Sequence, residues 1–172
     1  LNDKKTNFKI ISHRYKGDYQ ILKIEYKKSS ITLNVNLIGK IQIKNLLMAI
    51  IAASNSNLDL KKILSVIPKI KPVKGRFEKI SKIKNKSKVI LDYAHTPDAL
   101  ETCLLNLKDQ FPDKKIILLF GCGGNRDQNK RSKMGKIANN YSDKIYLTND
   151  NPRFENPNKI RHDIKKGIKD KS

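Results

Sequence analysis

From residue 88 onward the chain alternates. An apolar, β-branched run is followed by a polar loop and a helix-like stretch, and the cycle repeats. This pattern constrains the fold more than any other feature, because strands separated by helices need crossover connections, which lay the strands parallel. Strands are read at residues 88–92 (KVILD), 114–120 (KKIILLF) and 144–147 (KIYL), the first two as buried strands. A helix is read from Pro97 to about Phe111, with Thr96 as its N-cap and Asp98 near its positive end. Others are read at about 130–140 and 158–169. Three loops then leave the carboxyl ends of neighbouring strands, where open α/β sheets carry their chemistry. Asp92, His95, Arg126 and the tetrapeptide DNPR, residues 150–153, are thereby expected on one rim.

DNPR supplies an acid, an amide, a rigid proline and a planar cation in four residues. Arg153 can grip a carboxylate with two parallel hydrogen bonds. Asp150 and the carbonyl of Asn151 can accept from an ammonium, and Pro152 fixes one φ. The same residues also make ordinary turns. The glycine loop GCGGNRD, residues 121–127, has Arg126 where G-x-G-x-x-G needs its last glycine, and it lacks the GK[ST] ending of a phosphate-binding loop. Its glycines either admit an anion to the backbone or make a tight strand-to-helix turn. Asp92 ends an apolar strand and needs a partner there. His95 is suited to a phosphate or ribose, or to capping. Arg76, in GRFE, either reaches a nucleotide or is solvated.

Residues 7–37 carry β-type runs, FKIIS, YQILKIEY and SITLNVNLI. Residues 41–53 (IQIKNLLMAIIAA) are too long for a strand and read as a buried helix bearing Gln42 and Asn45 near its first turn. Asp59 is a candidate cap for a second helix, LKKILSVI, and Pro68 and Pro72 break the pattern. A hinge is read at residues 72–78, dividing the chain into 1–74 and 75–172.

The charge is +21, from 37 basic and 16 acidic residues. That first suggests nucleic acid or an anionic surface. Thirty-one of the basic residues are lysines, scattered from end to end, aromatics make up only 6%, and tryptophan is absent. Such a surface has neither a basic stripe nor the stacking platforms of single-strand binders. In so lysine-rich a chain the six arginines stand out as places where a planar fork is needed. The two cysteines, Cys103 and Cys122, form no CxxC or zinc-type spacing. No signal peptide or membrane span is read, and a reducing, cytoplasmic setting is expected. The start LNDKK, without methionine, is expected of an internal piece.

Taken in order, IGKIQIKNLLMAI, PVKGRFE, DYAHTPDALE, LFGCGGNRDQNKRSKMG and TNDNPR resemble the Mur ligase family over about residues 38–165. Within it they are similar to members that add meso-diaminopimelate to UDP-N-acetylmuramoyl-L-alanyl-D-glutamate (UDP-MurNAc-L-Ala-D-Glu) in peptidoglycan synthesis. The resemblance implies an α/β fold, a C-terminal Rossmann-like parallel-sheet domain preceded by the end of a central ATPase domain. It implies an ATP-dependent amide ligase that uses Mg2+ and forms an acyl phosphate, acting as a monomer without nucleic acid. Asn45, Arg76, Asp92 and His95 would serve ATP; Arg126, Asp150, Asn151, Pro152 and Arg153 would hold diaminopimelate. In the family the arginine of DNPR separates diaminopimelate-adding from lysine-adding members. Gln42 and Asn125 stand where the family has asparagine and aspartate. The family's phosphate loop, UDP-sugar domain and GKGHE-like segment are missing, so this chain alone is expected to be inactive. Two alternatives stay open: a ligase for another amino acid such as L-lysine, and a non-enzymatic basic nucleic-acid-binding module.

Overall fold

The computed structural model describes residues 8–82 and 87–169; the first residue of the expected β region, Asn7, lies outside them. Packing divides the chain into two compact units, after Asp92.

The first unit opens with an antiparallel meander, β1 (Phe8–Lys16), β2 (Tyr19–Tyr26) and β3 (Ser29–Val35). Gly17 (φ +60°) turns the first hairpin, and Lys27 and Lys28 turn the second, both at positive φ as a two-residue primed turn requires. Alternation puts Leu22, Ile24, Leu33 and Val35 on one face. That face packs on α1 (Lys40–Asn55) through Ile43, Leu46, Leu47 and Ile50. Burying each such side chain contributes about 1.5–3 kcal/mol. The expectation of a buried helix is corrected to a helix buried along one stripe. Lys44, Asn45, Ala49 and Ala52 are exposed, and Met48 is 65% exposed, because only one stripe of a helix can face one sheet. Asp59 caps α2 (Leu60–Val66), accepting from the Lys62 N–H at 2.9 Å. Pro68 enters a 3₁₀ turn, Ile67–Lys69.

The unit closes with β4 (Glu78–Lys82) and β5 (Lys88–Leu91), paired antiparallel. This corrects the placement of KVILD as the first strand of the parallel sheet and as a buried strand. Residues 78–82, which begin inside the expected hinge, supply a partner close in sequence, and a local antiparallel pairing needs no crossover. The side chains of β5 are half-buried, and Leu91 is exposed.

The second unit is α/β. α3 (Pro97–Gln110) starts under Thr96, whose hydroxyl accepts from the Ala99 N–H at 3.3 Å. β6 (Ile117–Phe120) and β7 (Lys144–Leu147) pair in parallel, joined through α4 (Asn129–Tyr141); α5 (Pro157–Lys165) comes last. Leu118, Phe120 and Leu147 meet a core of Leu100, Leu104, Cys122, Met134, Ile160 and Ile164. The expected burial of residues 114–120 on both faces is corrected. Ile117 and Leu119 are 66% and 67% exposed, because the described helices cover one face of this pair. α4 and α5 touch almost backbone to backbone. A Cβ on Gly135 would lie 2.1 Å from the Ile164 carbonyl oxygen, and one on Gly167 1.9 Å from that of Ser132.

Candidate functional site

Parallel pairing puts the exits of β6 and β7 side by side, and the ladder runs on past them: the Thr148 N–H donates to the Phe120 oxygen at 3.0 Å. The glycine loop and DNPR therefore leave the sheet together and are cross-tied. The Gly124 N–H donates to the Asn151 oxygen at 2.9 Å. The Arg153 guanidinium returns a bond, Nη1 to the Gly124 oxygen, at 2.8 Å. The Phe154 N–H donates to Asn125 Oδ1 at 3.1 Å, and the Asn125 N–H donates to the Glu155 carboxylate.

This packing accounts for the glycines. A Cβ on Gly124 would lie 1.9 Å from the Pro152 oxygen, and one on Gly121 2.4 Å from the Thr148 oxygen. One on Gly123 would meet Arg153 Nη1 at 2.9 Å. At Gly121 and Gly124 the neighbour is backbone and no side chain fits, so these two serve loop-to-loop contact, whereas at Gly123 it is the tip of the Arg153 side chain. Asn125 Oδ1 accepts here as a carboxylate oxygen would.

Asn125 (φ +51°) and Arg153 (φ +52°) both adopt left-handed backbone, at a cost of roughly 1–3 kcal/mol each for a non-glycine residue. Arg153 is exposed. Its Nη1 is engaged by Gly124 and, at 3.4 Å, by Asn151. Its Nε and Nη2 meet no hydrogen-bond partner among the described residues, so one edge of the fork remains for a carboxylate. Asp150 and Asn151 are also exposed. Beneath them lies a shallow recess lined by Cys122, Thr148, Asn149, Asp150, Pro152, Pro157 and Ile160. The recess is too tight to admit a water-sized molecule, so the loops present an open wall and not an enclosed pocket. The Cys122 thiol has its pKa raised by burial and by Asp150, against Lys130 and Arg131. It is a core thiol that resists forming the nucleophilic thiolate.

Sequence reading missed the residues that hold this wall. Arg131, on α4, is completely buried; Nη2 donates to both Glu155 oxygens at 2.9 Å, and Nη1 donates to Asp163 at 3.2 Å. The bonds to Glu155 raise the Arg131 pKa against the opposing effect of burial. The same bonds, with that from the Asn125 N–H, lower the pKa of Glu155. The signal was present, since Arg131 is one of only six arginines.

The expected single rim is corrected. Arg126 and residues 150–153 share it, with Arg126 exposed in the glycine loop. Asp92 lies in the first unit, after β5, because β5 pairs with β4. There its Oδ2 accepts from the Phe77 N–H at 3.0 Å. That bond brings Asp92 to Arg76, in a turn closed by Gly75 N–H to Glu78 at 2.8 Å. Asn45 stands exposed on α1. His95 belongs to the second unit. Its Nδ1 lies 3.1 Å from the Tyr93 oxygen, and its own carbonyl accepts from Lys130 Nζ at 2.6 Å. Among the described residues no group of three or more His, Cys, Asp or Glu side chains is suited to a metal ion.

A parallel strand pair joined through a helix, with its strand-end loops side by side, defines an α/β domain. The particular family emerges from comparison: residues 75–172 match the Mur ligase glutamate ligase domain, and the chain belongs to the Mur ligase family. By packing, the β4–β5 hairpin goes with the first unit; by family match, it goes with the second. A protein of Rickettsia felis named UDP-N-acetylmuramoyl-L-alanyl-D-glutamate--2,6-diaminopimelate ligase is 40% identical over 94% of this chain and 32% of its own length. One of the same name from Leptospira interrogans is 42% identical over 79% of the chain and 27% of its own length. A solved structure of a ligase of that name matches with a TM-score of 0.68 and 32% identity, over 98% of this chain and 34% of that one. A folylpolyglutamate synthase of Thermotoga maritima shares the fold at a TM-score of 0.73 and 24% identity, over 95% of this chain and 38% of that one. The chain spans about a third of the length of the curated relatives it matches.

Proposed function

We propose that this chain is part of an ATP-dependent amide ligase that adds meso-diaminopimelate to UDP-MurNAc-L-Ala-D-Glu in cytoplasmic peptidoglycan synthesis. The observation that carries this reading is 40% identity over 94% of the chain to a ligase of that name. The open edge of the Arg153 fork supports it. In the reaction, the γ-phosphoryl group of ATP passes to the terminal carboxylate of the glutamyl substrate, giving an acyl phosphate and ADP. The amine of diaminopimelate attacks the acyl carbon, its nitrogen loses a proton, the C–O bond to phosphate breaks and phosphate leaves.

The rim's part is to hold the incoming amino acid. Arg153 and Arg126 bind its carboxylates, Asp150 and Asn151 accept from an ammonium, and Pro152 limits the loop's freedom. Positioning the amine next to the acyl phosphate converts a bimolecular step into a local one. Asn45, the Arg76–Asp92 turn and His95 would serve ATP. The Mg2+ expected with the nucleotide finds no cluster of ligands among the described residues, so no step is assigned to it. L-lysine, the alternative substrate, carries the same side-chain ammonium but only a hydrogen where diaminopimelate has its second carboxylate, and would leave the Arg153 fork without an anionic partner. The nucleic-acid reading has only the net charge behind it.

The test uses the whole protein that contains this chain. Arg153→Ala should raise the KM for diaminopimelate on the order of 30-fold or more, the scale of about 2–5 kcal/mol for a carboxylate left unpaired, with the KM for ATP unmoved. An unchanged KM for diaminopimelate would overturn the site, and preferential ligation of L-lysine in a direct competition would overturn the substrate.

A further inference from the structure

Arg131 stands behind the rim, yet its guanidinium reaches both loops: it holds Glu155 beyond DNPR and makes a long 3.5 Å contact to the Gly123 oxygen in the glycine loop. Through Nη2 it holds both oxygens of Glu155 at 2.9 Å, and through Nη1 it holds Asp163 on α5 at 3.2 Å. Glu155 lies two residues beyond Arg153, and its carboxylate also accepts from the Asn125 N–H. Asn125 adjoins Arg126 and in turn accepts from the Phe154 N–H at 3.1 Å. A buried side chain is thus linked, through one carboxylate, to the backbone beside each of the two exposed arginines. Asn125 and Arg153 are the residues of these loops held at φ +51° and +52°, a conformation that persists only where its surroundings over-determine it. Lysine could not replace this grip, since a point charge has no planar fork to reach two carboxylates in different directions.

We propose that Arg131 is a positioning residue for the amino-acid site. Through Glu155 it keeps the backbone of residues 124–126 and 151–154 in the conformation that aims Arg126 and Arg153 at the substrate carboxylates, without touching the substrate itself. This rests on the reading of the rim as the amino-acid site.

The experiment compares Glu155→Gln and Arg131→Lys in the whole protein. Glu155→Gln preserves size and one carbonyl acceptor, so it serves if Arg131→Lys fails to fold. The KM for diaminopimelate should rise about tenfold, the scale of losing a charge-assisted hydrogen bond, while kcat and the KM for ATP stay within about twofold. Hydrogen exchange at the Asn125 and Phe154 amides should quicken, with α3 amides unaffected. A fall in kcat with no selective rise in that KM would make Arg131 merely structural and overturn the proposal. Unchanged exchange at the two amides would overturn it as well. If Arg153→Ala raises the KM for diaminopimelate and Glu155→Gln does not, this proposal alone falls. If Arg153→Ala also leaves it unchanged, the reading of the site falls first and carries this proposal with it.

Discussion

The two units solve one problem, a partly buried carboxylate, with different cations. In the first, Asp18 at the β1–β2 turn meets Lys79 on β4 at 2.8 Å and Lys88 on β5 at 3.2 Å, with side chains 23–31% exposed. Burial pushes its pKa up, but the two lysines prevail and lower it. In the second, Glu155 and Asp163 share one arginine that is 0% exposed. The difference comes from hydration. An ammonium is a strongly hydrated point charge and serves where water completes its shell. A fully buried cation needs protein oxygens in place of water, and this guanidinium spreads its two Nη groups over two carboxylates, with Nε left without a partner among the described residues. In a chain of 31 lysines, burial selects arginine.

The largest expected effect tests that selection. Arg131→Ala leaves two carboxylates facing a buried gap and should lower stability by about 3–5 kcal/mol, measured by urea unfolding. If burial is what demands the fork, Arg131→Lys should cost nearly as much, whereas Lys79→Arg should be almost silent. Equal tolerance at both positions would break the contrast. Next comes the loop crossing; in the first unit Gly17 and Gly75, by contrast, press on nothing within 4 Å. Gly124→Ala brings a methyl within 1.9 Å of the Pro152 oxygen. It should destabilise by roughly 1–3 kcal/mol and loosen DNPR, seen as faster exchange at the Thr148 and Gly124 amides. The smallest effect is that of Asp18→Asn, about 1 kcal/mol or less for a partly solvated pair.

Acid sharpens the comparison. The carboxyls of Asp18, Asp163 and Glu155 all have pKa values below their ordinary 3.8, 3.8 and 4.5. Each therefore stabilises the fold fully above its ordinary pKa, and that contribution is lost as pH falls through the lower, folded value. Melting temperature should hold down to about pH 5 and drop below pH 4. The drop should be shallower in Asp18→Asn, which lacks one of the three groups; an identical acid limb would sink the assignment of Asp18.

Much of the second unit was legible because its signals are local. Thr96 and Pro97 mark a helix start in any context, and α4 and β7 lie within a residue of where periodicity puts them. The strand KVILD was equally visible, but its partner was not. Both parallel and antiparallel pairing accept a run of β-branched residues, and the choice depended on whether residues 78–82 would form a strand beside it. The arginines of DNPR and the glycine loop were read from their chemistry. Arg131 and Glu155 were passed over because an arginine within a lysine-rich helix shows its burial only when α5 and the β7 loop are packed against it.

From the order of its residues alone this protein was set to be α/β in its second part, to carry a compact cation–amide–acid loop after its last strand, and to belong with the Mur ligases. Those properties live in short-range spacing: caps, apolar runs and motif residues a few positions apart. Tertiary structure decided which strands pair, that Asp92 leaves the rim for the GRFE turn, and that Gly121 and Gly124 are there for backbone crossing backbone. It also decided that one buried arginine holds the rim. These depend on contacts between residues that are distant along the chain, whose distances and desolvation exist only once the helices close over the sheet.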